Sequence, residues 1–228
     1  MVSMRPAASA TFRTARRQST RSQPNARRAA AIAVALAVAG ALGTTTAPAA
    51  ESAPGRTPHQ DACRGQGVDG SALIRYESDI VIDAPLSTVW KLQTDVERWP
   101  AWQPPVTGSE RLDTGPLRKG SRFHWTTPAP ATPTTPATTL GITSTVQQLQ
   151  RGHCVLWRGP AVGEGLRIDE GVHLWTFTKA KGGGVLVHTE ETWTGTQVEA
   201  DVPTATAALG WGLETWLNDL KAAAEARS

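Results

Sequence analysis

The sequence predicts an α+β domain in which a strand, short helices and a series of antiparallel strands precede a long C-terminal helix. Short β-branched runs between residues 79 and 193 alternate apolar and polar side chains, which is the period of a half-buried strand. A proline-started amphipathic segment follows the first of these runs. From residue 201 to residue 227 the apolar spacing is instead that of a helix.

The first strand and helix lie within residues 79–103, where the pattern is clearest. Ile80 and Ile82 alternate with Val81 and Asp83 and predict the strand. Pro85 suits the first turn of a helix, where its missing N–H would have no partner. Pro100 is expected to end or kink that helix at the residue before it, because a residue preceding proline avoids helical geometry.

Further strands are predicted between this helix and residue 193. They cover residues 106–111, 120–126, 140–150, 154–159, 166–178 and 185–193. A Pro/Thr-rich stretch at 128–136 is a loop within the domain, since strand pattern resumes on both sides. Three glycines at 182–184 predict a hairpin turn.

The C-terminal helix is predicted over residues 201–227. Its apolar stripe consists of Leu209, Leu213, Trp216, Leu217, Leu220 and Ala224. Asp201 or Thr204 can cap its start. Gly210 and Gly212 each cost about 1 kcal/mol against alanine in a helix interior. Either the helix approaches the sheet closely there, or the glycines let it bow over a cavity.

The order of elements and three motifs resemble the polyketide cyclase/dehydrase family of the START/Bet v 1-like superfamily. The motifs are Ile82-x-Ala-Pro…Val-Trp90, Asp95-Val-x-x-Trp-Pro-x-Trp102 and Val187-His-Thr-Glu-Glu-Thr-Trp-Thr-Gly195. The resemblance spans about residues 76–226. It implies a helix-grip fold, in which a curved antiparallel sheet of six to seven strands wraps around the C-terminal helix and encloses a cavity for an apolar small molecule. Two short helices follow the first strand in that fold.

The chain departs from the family pattern at the expected cavity mouth. The loop at 127–138 is longer than the usual hairpin, and Gly210 and Gly212 loosen the last helix. The size of the cavity therefore does not carry over from the family.

Residues 1–50 have the pattern of a secretory signal peptide. Seven arginines and no acid lie within residues 1–28, and residues 29–43 are uncharged and apolar. This run is shorter than the roughly 20 residues that span a membrane. Small residues place cleavage near Ala49 or Ala50. The alternative is a basic tail before an uncleaved anchor. Twin arginines permit Tat as well as Sec export, so a secreted or cell-envelope protein is expected.

The remaining chain carries no excess of basic residues. All 20 acids but only part of the 23 bases follow residue 50, which argues against nucleic-acid binding. Residues 51–72 are Gly/Pro-rich and polar, which predicts a flexible leader before a domain at 73–228. That domain is expected to be a monomer without a membrane span.

Two cysteines, Cys63 and Cys154, are the candidates for a disulfide. An oxidising compartment permits a bridge from the leader to the sheet, and two unpaired thiols are the alternative. The two cysteines do not form a cysteine–histidine pattern with the ligand spacing of a zinc site, so no metal is expected.

Tryptophan dominates the aromatic residues, with nine in the chain. Trp90, Trp99 and Trp102 of the opening segment are interpreted as packing anchors. Four others fall on predicted strands and are candidates to line the cavity, or else fill the core: Trp125, Trp157, Trp175 and Trp193.

Seven polar residues are candidates for contact with a ligand: His124, His153, His173, His188, Glu190, Arg122 and Arg158. From these, His173, His188, Glu190 and Arg158 are predicted to bind ligand, with His173 and Glu190 as possible acid–base groups. A strand histidine that is merely hydrogen-bonded is the alternative. The sequence has no Gly-x-Ser-x-Gly, His-Glu-x-x-His or dinucleotide glycine motif, so an enzyme here would be cofactor-free.

Three functions remain open on the sequence. The first is a secreted protein that binds a hydrophobic, lipid- or polyketide-like small molecule. The second, implied by the family, is a cofactor-free polyketide cyclase or dehydratase. The third is a cell-envelope interaction module without a working pocket.

Overall fold

The computed structural model describes residues 63–228, which form one seven-stranded antiparallel sheet and a long C-terminal helix. The predicted signal peptide and residues 51–62 of the leader lie outside the described residues. In chain order the elements are β1 (Ile74–Ile82), α1 (Leu86–Thr94), a 3-10 helix (Val96–Ala101), β2 (Gly108–Arg111), β3 (Arg122–Ala129), β4 (Thr138–Gln150), β5 (Cys154–Gly163), β6 (Leu166–Lys179), β7 (Val185–Thr194), α2 (Thr196–Glu199) and α3 (Val202–Glu225).

The sheet is curved and has the strand order β1-β7-β6-β5-β4-β3-β2. Every neighbouring pair is antiparallel. The long helix α3 packs on one face of the sheet, called here the inner face, through Leu213, Trp216 and Leu220. The predicted helix-grip α+β fold is confirmed.

Tryptophans form the centre of the core between the sheet and α3. The ring of Trp99 lies 4.9 Å from that of Trp216 and 5.4 Å from that of Phe123, both edge-on. Gln93 joins two of these rings, because its backbone oxygen accepts from Trp99 Nε1 and its side-chain oxygen accepts from Trp216 Nε1. The Trp-Pro corner of the opening segment is therefore a packing anchor.

The helical segment after β1 breaks earlier than Pro100 predicts. Helix α1 ends at Thr94, and the 3-10 helix that begins at Val96 runs through Pro100 to Ala101. A short 3-10 helix makes few backbone hydrogen bonds, so the missing N–H of Pro100 costs little there.

Strand β5 continues four residues beyond its predicted end at Gly159. Its register with β6 shifts between Gly159 and Ala161, which leaves Pro160 between the two ladders. A bulge is where a sheet tolerates a proline, because that residue donates no ladder hydrogen bond.

A disulfide between Cys63 and Cys154 fixes the described part of the leader to the sheet. Cys63 and Val68 are buried against Leu156 and Leu174, which belong to the sheet face opposite α3, called here the outer face. Residues 63–72 are therefore attached to the domain instead of forming a free leader, because the bond and this apolar cluster both hold them.

The start of α3 is capped by the Asp201 side chain, which accepts from the backbone N–H of Thr204 at 3.1 Å. Gly210 is buried against the ring of Tyr76, whereas a side chain at Gly212 would meet nothing within 4 Å. Close packing against Tyr76 therefore requires a glycine at 210, whereas no contact requires one at 212. Among the described residues, none of the helices has the length and apolar character needed to cross a bilayer.

Candidate ligand-binding cavity

A cavity of about 310 Å³ lies between the inner face of the sheet and the first half of α3. Its volume is at the low end of the roughly 300–1,000 Å³ typical of small-molecule sites. Trp211 stands at its rim with 64% of its surface exposed. The lining comprises Gln103, Pro105, Val106, Trp125, Thr127–Pro130, Leu140, Ile142, Ser144, Trp157, Gly159, Ala161, Ile168, Gly171, His173, Glu191, Trp193 and parts of 208–216.

Two glycines make room for this cavity. Gly159 of β5 and Gly171 of β6 lie opposite each other in the sheet and both line the cavity. A Cβ atom at Gly159 would overlap the carbonyl oxygen of Thr143, so that position excludes any side chain. The inner face therefore has a floor without side chains at the point where α3 crosses it.

Aromatic rings form much of the wall. Trp125 and Trp216 are in edge-on contact, with centroids 5.5 Å apart. Trp157 and Trp193 line the cavity from neighbouring parts of the sheet. Such rings bury apolar ligands well, and each brings one N–H donor.

Glu191 is the one carboxylate among the described residues that line the cavity. Its Oε2 atom lies 2.9 Å from Nδ1 of His173, the residue opposite it in β6, and its Oε1 atom accepts from Trp193 Nε1 at 2.8 Å. Nε2 of His173 in turn lies 2.7 Å from Oγ1 of Thr189. Both ring nitrogens of His173 are thus engaged, and it is Glu191 that offers its remaining lone pairs to the cavity.

Ser144 and Gln103 are further polar residues of the cavity lining. The hydroxyl of Ser144 accepts from Trp125 Nε1 at 3.2 Å. The side-chain oxygen of Gln103 is buried and has no hydrogen-bond partner within residues 63–228. A buried amide oxygen without a partner costs free energy unless a ligand or water donates to it.

The residues predicted to bind ligand divide between the two faces of the sheet. Trp125, Trp157, His173 and Trp193 line the cavity. Trp175 is on the same face but lies behind the wall, fully buried, with its ring 4.8 Å from that of His173.

Arg158, His188 and Glu190 lie on the outer face, away from the cavity, and their predicted ligand contacts are corrected. Arg158 pairs with Glu170 at 2.9 Å and is exposed. Strand alternation explains the error, because Glu190 and Trp193 are an odd number of residues apart and so cannot share a face. His173 and Glu190 therefore do not form one acid–base site.

The other three polar candidates also lie away from the cavity. The cavity lining includes none of Arg122, His124 and His153. Nδ1 of His124 instead lies 3.1 Å from the hydroxyl oxygen of Thr143.

On the outer face, Glu77, His188 and Glu190 have potential metal-ligand atoms within 4.8 Å of one another. Arg75 already binds both carboxylates, with Nε on Glu190 at 2.5 Å and a terminal nitrogen on Glu77 at 2.6 Å. Nδ1 of His188 pairs with Asp79 at 3.0 Å. The geometry thus describes a network of ion pairs in which the guanidinium of Arg75 supplies the positive charge.

The sequence reasoning missed Glu191 and Gln103. Glu191 was within reach, since Trp193 was expected to face inward and residues two apart share a face of a strand. Gln103 follows the Trp-Pro corner in a loop, where no periodicity indicates direction.

A wider groove of about 610 Å³ lies on the surface beside α1 and the C-terminus. Exposed charged side chains line it, including Lys91, Arg98 and Arg227. The cavity under α3 is the better candidate for an apolar ligand, because its walls are aromatic and largely buried.

A curved antiparallel sheet that wraps around a long C-terminal helix, with a cavity between the two, defines the START-like class of proteins. Residues 74–225 match the model of the family described as polyketide cyclase/dehydrase and lipid transport. The chain belongs to this family. Hydrophobic ligand binding and polyketide cyclase-type chemistry are the functions that this family and fold suggest.

Solved structures of low sequence identity share the fold. A START superfamily protein from Mycobacterium smegmatis is 13% identical, with a TM-score of 0.56 over 68% of this chain and 99% of the other. A protein from Thermus thermophilus is 18% identical, with a TM-score of 0.51 over 68% and 98%. The di-domain ARO/CYC StfQ from the steffimycin biosynthetic pathway is 17% identical, with a TM-score of 0.50 over 68% and 52%. No curated protein has a significantly similar sequence.

Proposed function

We propose that this protein is an exported binding protein that holds a hydrophobic, lipid- or polyketide-like small molecule in the cavity under α3. The observation that carries the proposal is the cavity itself, of about 310 Å³, with a glycine floor and tryptophan walls. Burial of an apolar ligand against such walls is favourable by roughly 25 cal/mol per Å² of apolar surface removed from water.

Two features support an oxidising location outside the cytoplasm. The basic head and apolar run of residues 1–50 have the order of a signal peptide. The disulfide between Cys63 and Cys154 is of the kind that persists in oxidising compartments. Mass spectrometry of the protein from culture medium and envelope fractions tests this. A mature N-terminus near Glu51 is expected, and full-length protein confined to the cytosol would contradict export.

Binding is tested first on protein purified from its own host. Native mass spectrometry before and after organic extraction should show a mass that is lost with the extracted lipophilic fraction. Titration with 2-naphthol, a small apolar ligand, then measures occupancy by calorimetry. The proposal fails if the purified protein carries nothing and neither 2-naphthol nor a longer apolar ligand binds.

A cofactor-free cyclase or dehydratase is the second candidate, favoured by the orientation of Glu191. A carboxylate held by His173 and Trp193 at the wall of an apolar cavity can take a proton from the carbon between two ketones of a bound poly-β-ketone. The enolate so formed attacks another ketone of the same chain, which closes the ring, and the proton taken up by Glu191 returns to the resulting alkoxide. Loss of that hydroxyl with a hydrogen of the neighbouring carbon, as water, then leaves a carbon–carbon double bond in the ring.

Matched variants of neighbouring glutamates test the enzymatic candidate. A short poly-β-ketone thioester analogue is incubated with the protein, and the dehydrated cyclic product is measured by mass spectrometry. Glu191→Gln should abolish its formation, whereas Glu190→Gln, on the outer face, should not. Equal product with and without wild-type protein would exclude this activity for that substrate.

The interaction module without a pocket is the least supported of the three functions. A filled interior would favour it, whereas the described domain has a cavity.

A further inference from the structure

We infer that the cavity selects apolar ligands that carry a hydroxyl or amino donor and rejects ligands that carry a carboxylate. The inference deepens the proposed binding function and rests on it, because it names the chemical class of molecule that the cavity takes.

Glu191 is the first reason. Its side chain is 17% exposed and lies in the cavity wall. Its Oε1 atom accepts the indole N–H of Trp193, its Oε2 atom lies 2.9 Å from Nδ1 of His173, and an ionised carboxylate has about four acceptor sites. At least two acceptor sites therefore remain for a ligand. His173 and Trp193 fix the orientation of the carboxylate.

The cavity wall has hydrogen-bond acceptors without a donor, whereas several of its N–H donors already have acceptors within the protein. The indole N–H groups of Trp125, Trp193 and Trp216 donate to Ser144, Glu191 and Gln93 respectively. The serine and threonine hydroxyls can play either role, so they do not alter this balance.

Gln103 adds an acceptor. It is only 1% exposed, lines the cavity, and its side-chain oxygen has no partner within the described residues. Its amide could bind a hydroxyl through that oxygen, so a second donor group on the ligand would also find a partner.

The charge of the wall excludes anions. Among the described residues that line the cavity, none is lysine or arginine. A carboxylate ligand such as a fatty acid would therefore lose its hydration without gaining a cation and would lie near Glu191. A neutral alcohol, phenol or amine avoids both costs.

Three naphthalene ligands of matched size test the inference by calorimetry at neutral pH. They are 2-naphthol, which donates, 2-methoxynaphthalene, which cannot donate, and 2-naphthoate, which is anionic. Ratios of affinity are compared between the wild-type protein and Glu191→Gln, because the different hydration of the three ligands then cancels. Glu190→Gln, on the outer face, is the matched control, and circular dichroism checks that each variant is folded.

In Glu191→Gln the affinity for 2-naphthoate relative to 2-methoxynaphthalene should rise about tenfold or more, since a charge has been removed from the wall. The advantage of 2-naphthol over 2-methoxynaphthalene should fall severalfold, because a neutral amide is a weaker acceptor than a carboxylate. Glu190→Gln should keep the wild-type ratios.

The outcomes separate this inference from the proposed function. If all three ligands bind and Glu191→Gln leaves both ratios unchanged, binding stands and selection by Glu191 is overturned. If the wild-type protein prefers 2-naphthoate, the selection is likewise overturned. If none of the three ligands nor a longer apolar ligand binds, the binding function itself fails.

Discussion

Gly159 and Gly171 lie opposite each other on adjacent strands and form the floor of the cavity under α3. The two positions differ in what they tolerate. A Cβ at Gly159 would overlap the backbone of Thr143, whereas a Cβ at Gly171 would lie 3.2 Å from Oε1 of Glu191, a side-chain atom that can shift. Gly171 is therefore the place where the cavity can be filled without breaking the sheet.

Replacement of Gly171 by leucine is expected to abolish ligand binding while the domain remains folded. The new side chain would occupy the cavity and displace Glu191. Calorimetry should show at least about a tenfold loss of affinity for 2-naphthol. Gly70→Leu is the control, because Gly70 is exposed, a Cβ there would meet no atom within 4 Å, and the residue does not line the cavity. Undiminished binding by Gly171→Leu would place the ligand elsewhere.

The two glycines of α3 should respond to alanine with opposite signs. A Cβ at Gly210 would lie 2.6 Å from the ring of Tyr76, so Gly210→Ala should lower the free energy of unfolding by about 1–3 kcal/mol. At Gly212 the Cβ meets nothing within 4 Å, and Gly212→Ala should raise it by about 0.5–1 kcal/mol. Urea unfolding measures both. Equal effects would mean that Tyr76 yields at no cost.

The fold could be predicted from the sequence because its signals are local. Alternation indicated each strand, Pro85 marked the start of α1, and helical spacing indicated α3. The bulge at Pro160 was missed, because its register depends on the two neighbouring strands and not on its own sequence.

The site was only partly predictable. Aromatic side chains at inward positions could be expected to line a cavity, and Trp157 and Trp193 do. The direction of a whole strand is a tertiary property, however. The predicted ligand contact at Glu190 is inconsistent with an inward Trp193, which instead places Glu191 on the inner face. The sequence predicts Gly171 only as a residue of a strand. Its role in the cavity depends on Gly159 in the neighbouring strand, and that pairing cannot be recognised from the residues around Gly171.

Loss of the disulfide between Cys63 and Cys154 should destabilise the domain. The bond joins residues 91 apart in sequence and holds residues 63–72 on the outer face. Its removal is expected to lower the free energy of unfolding by about 2–5 kcal/mol. Urea unfolding with and without dithiothreitol measures this. The double variant Cys63→Ser with Cys154→Ser should match the reduced protein and be insensitive to dithiothreitol; a reductant effect in that variant would point to another cause.

The ionised carboxylate of Asp219 should lower the free energy of unfolding at neutral pH. Burial raises the pKa of its carboxyl, and one of its oxygens is buried without a partner in the described chain. The folded-state pKa exceeds the unfolded value of about 3.9, so the folded protein binds this proton more readily than the unfolded chain does. The loss of stability from ionising Asp219 therefore begins above the unfolded value and is complete above the raised pKa. Asp219→Asn should therefore gain stability at pH 7, and the gain should shrink as the pH falls towards about 3.9. Urea unfolding across this pH range measures the gain, and one that is equal at every pH would not come from this titration.

Glu225 should show the opposite sign. Its carboxylate accepts from Lys221 Nζ at 2.6 Å and from the backbone N–H of Asp83 at 2.9 Å, and these bonds lower its pKa. The stability that they contribute is present above the unfolded value of about 4.3 and is lost as the pH falls through the lowered folded pKa. Glu225→Gln should therefore be less stable than the wild-type protein at pH 7, with a deficit that closes in acid. Urea unfolding from neutral pH down to about one unit below that unfolded value measures it, and a deficit that does not shrink over this range would assign the effect to packing instead of charge.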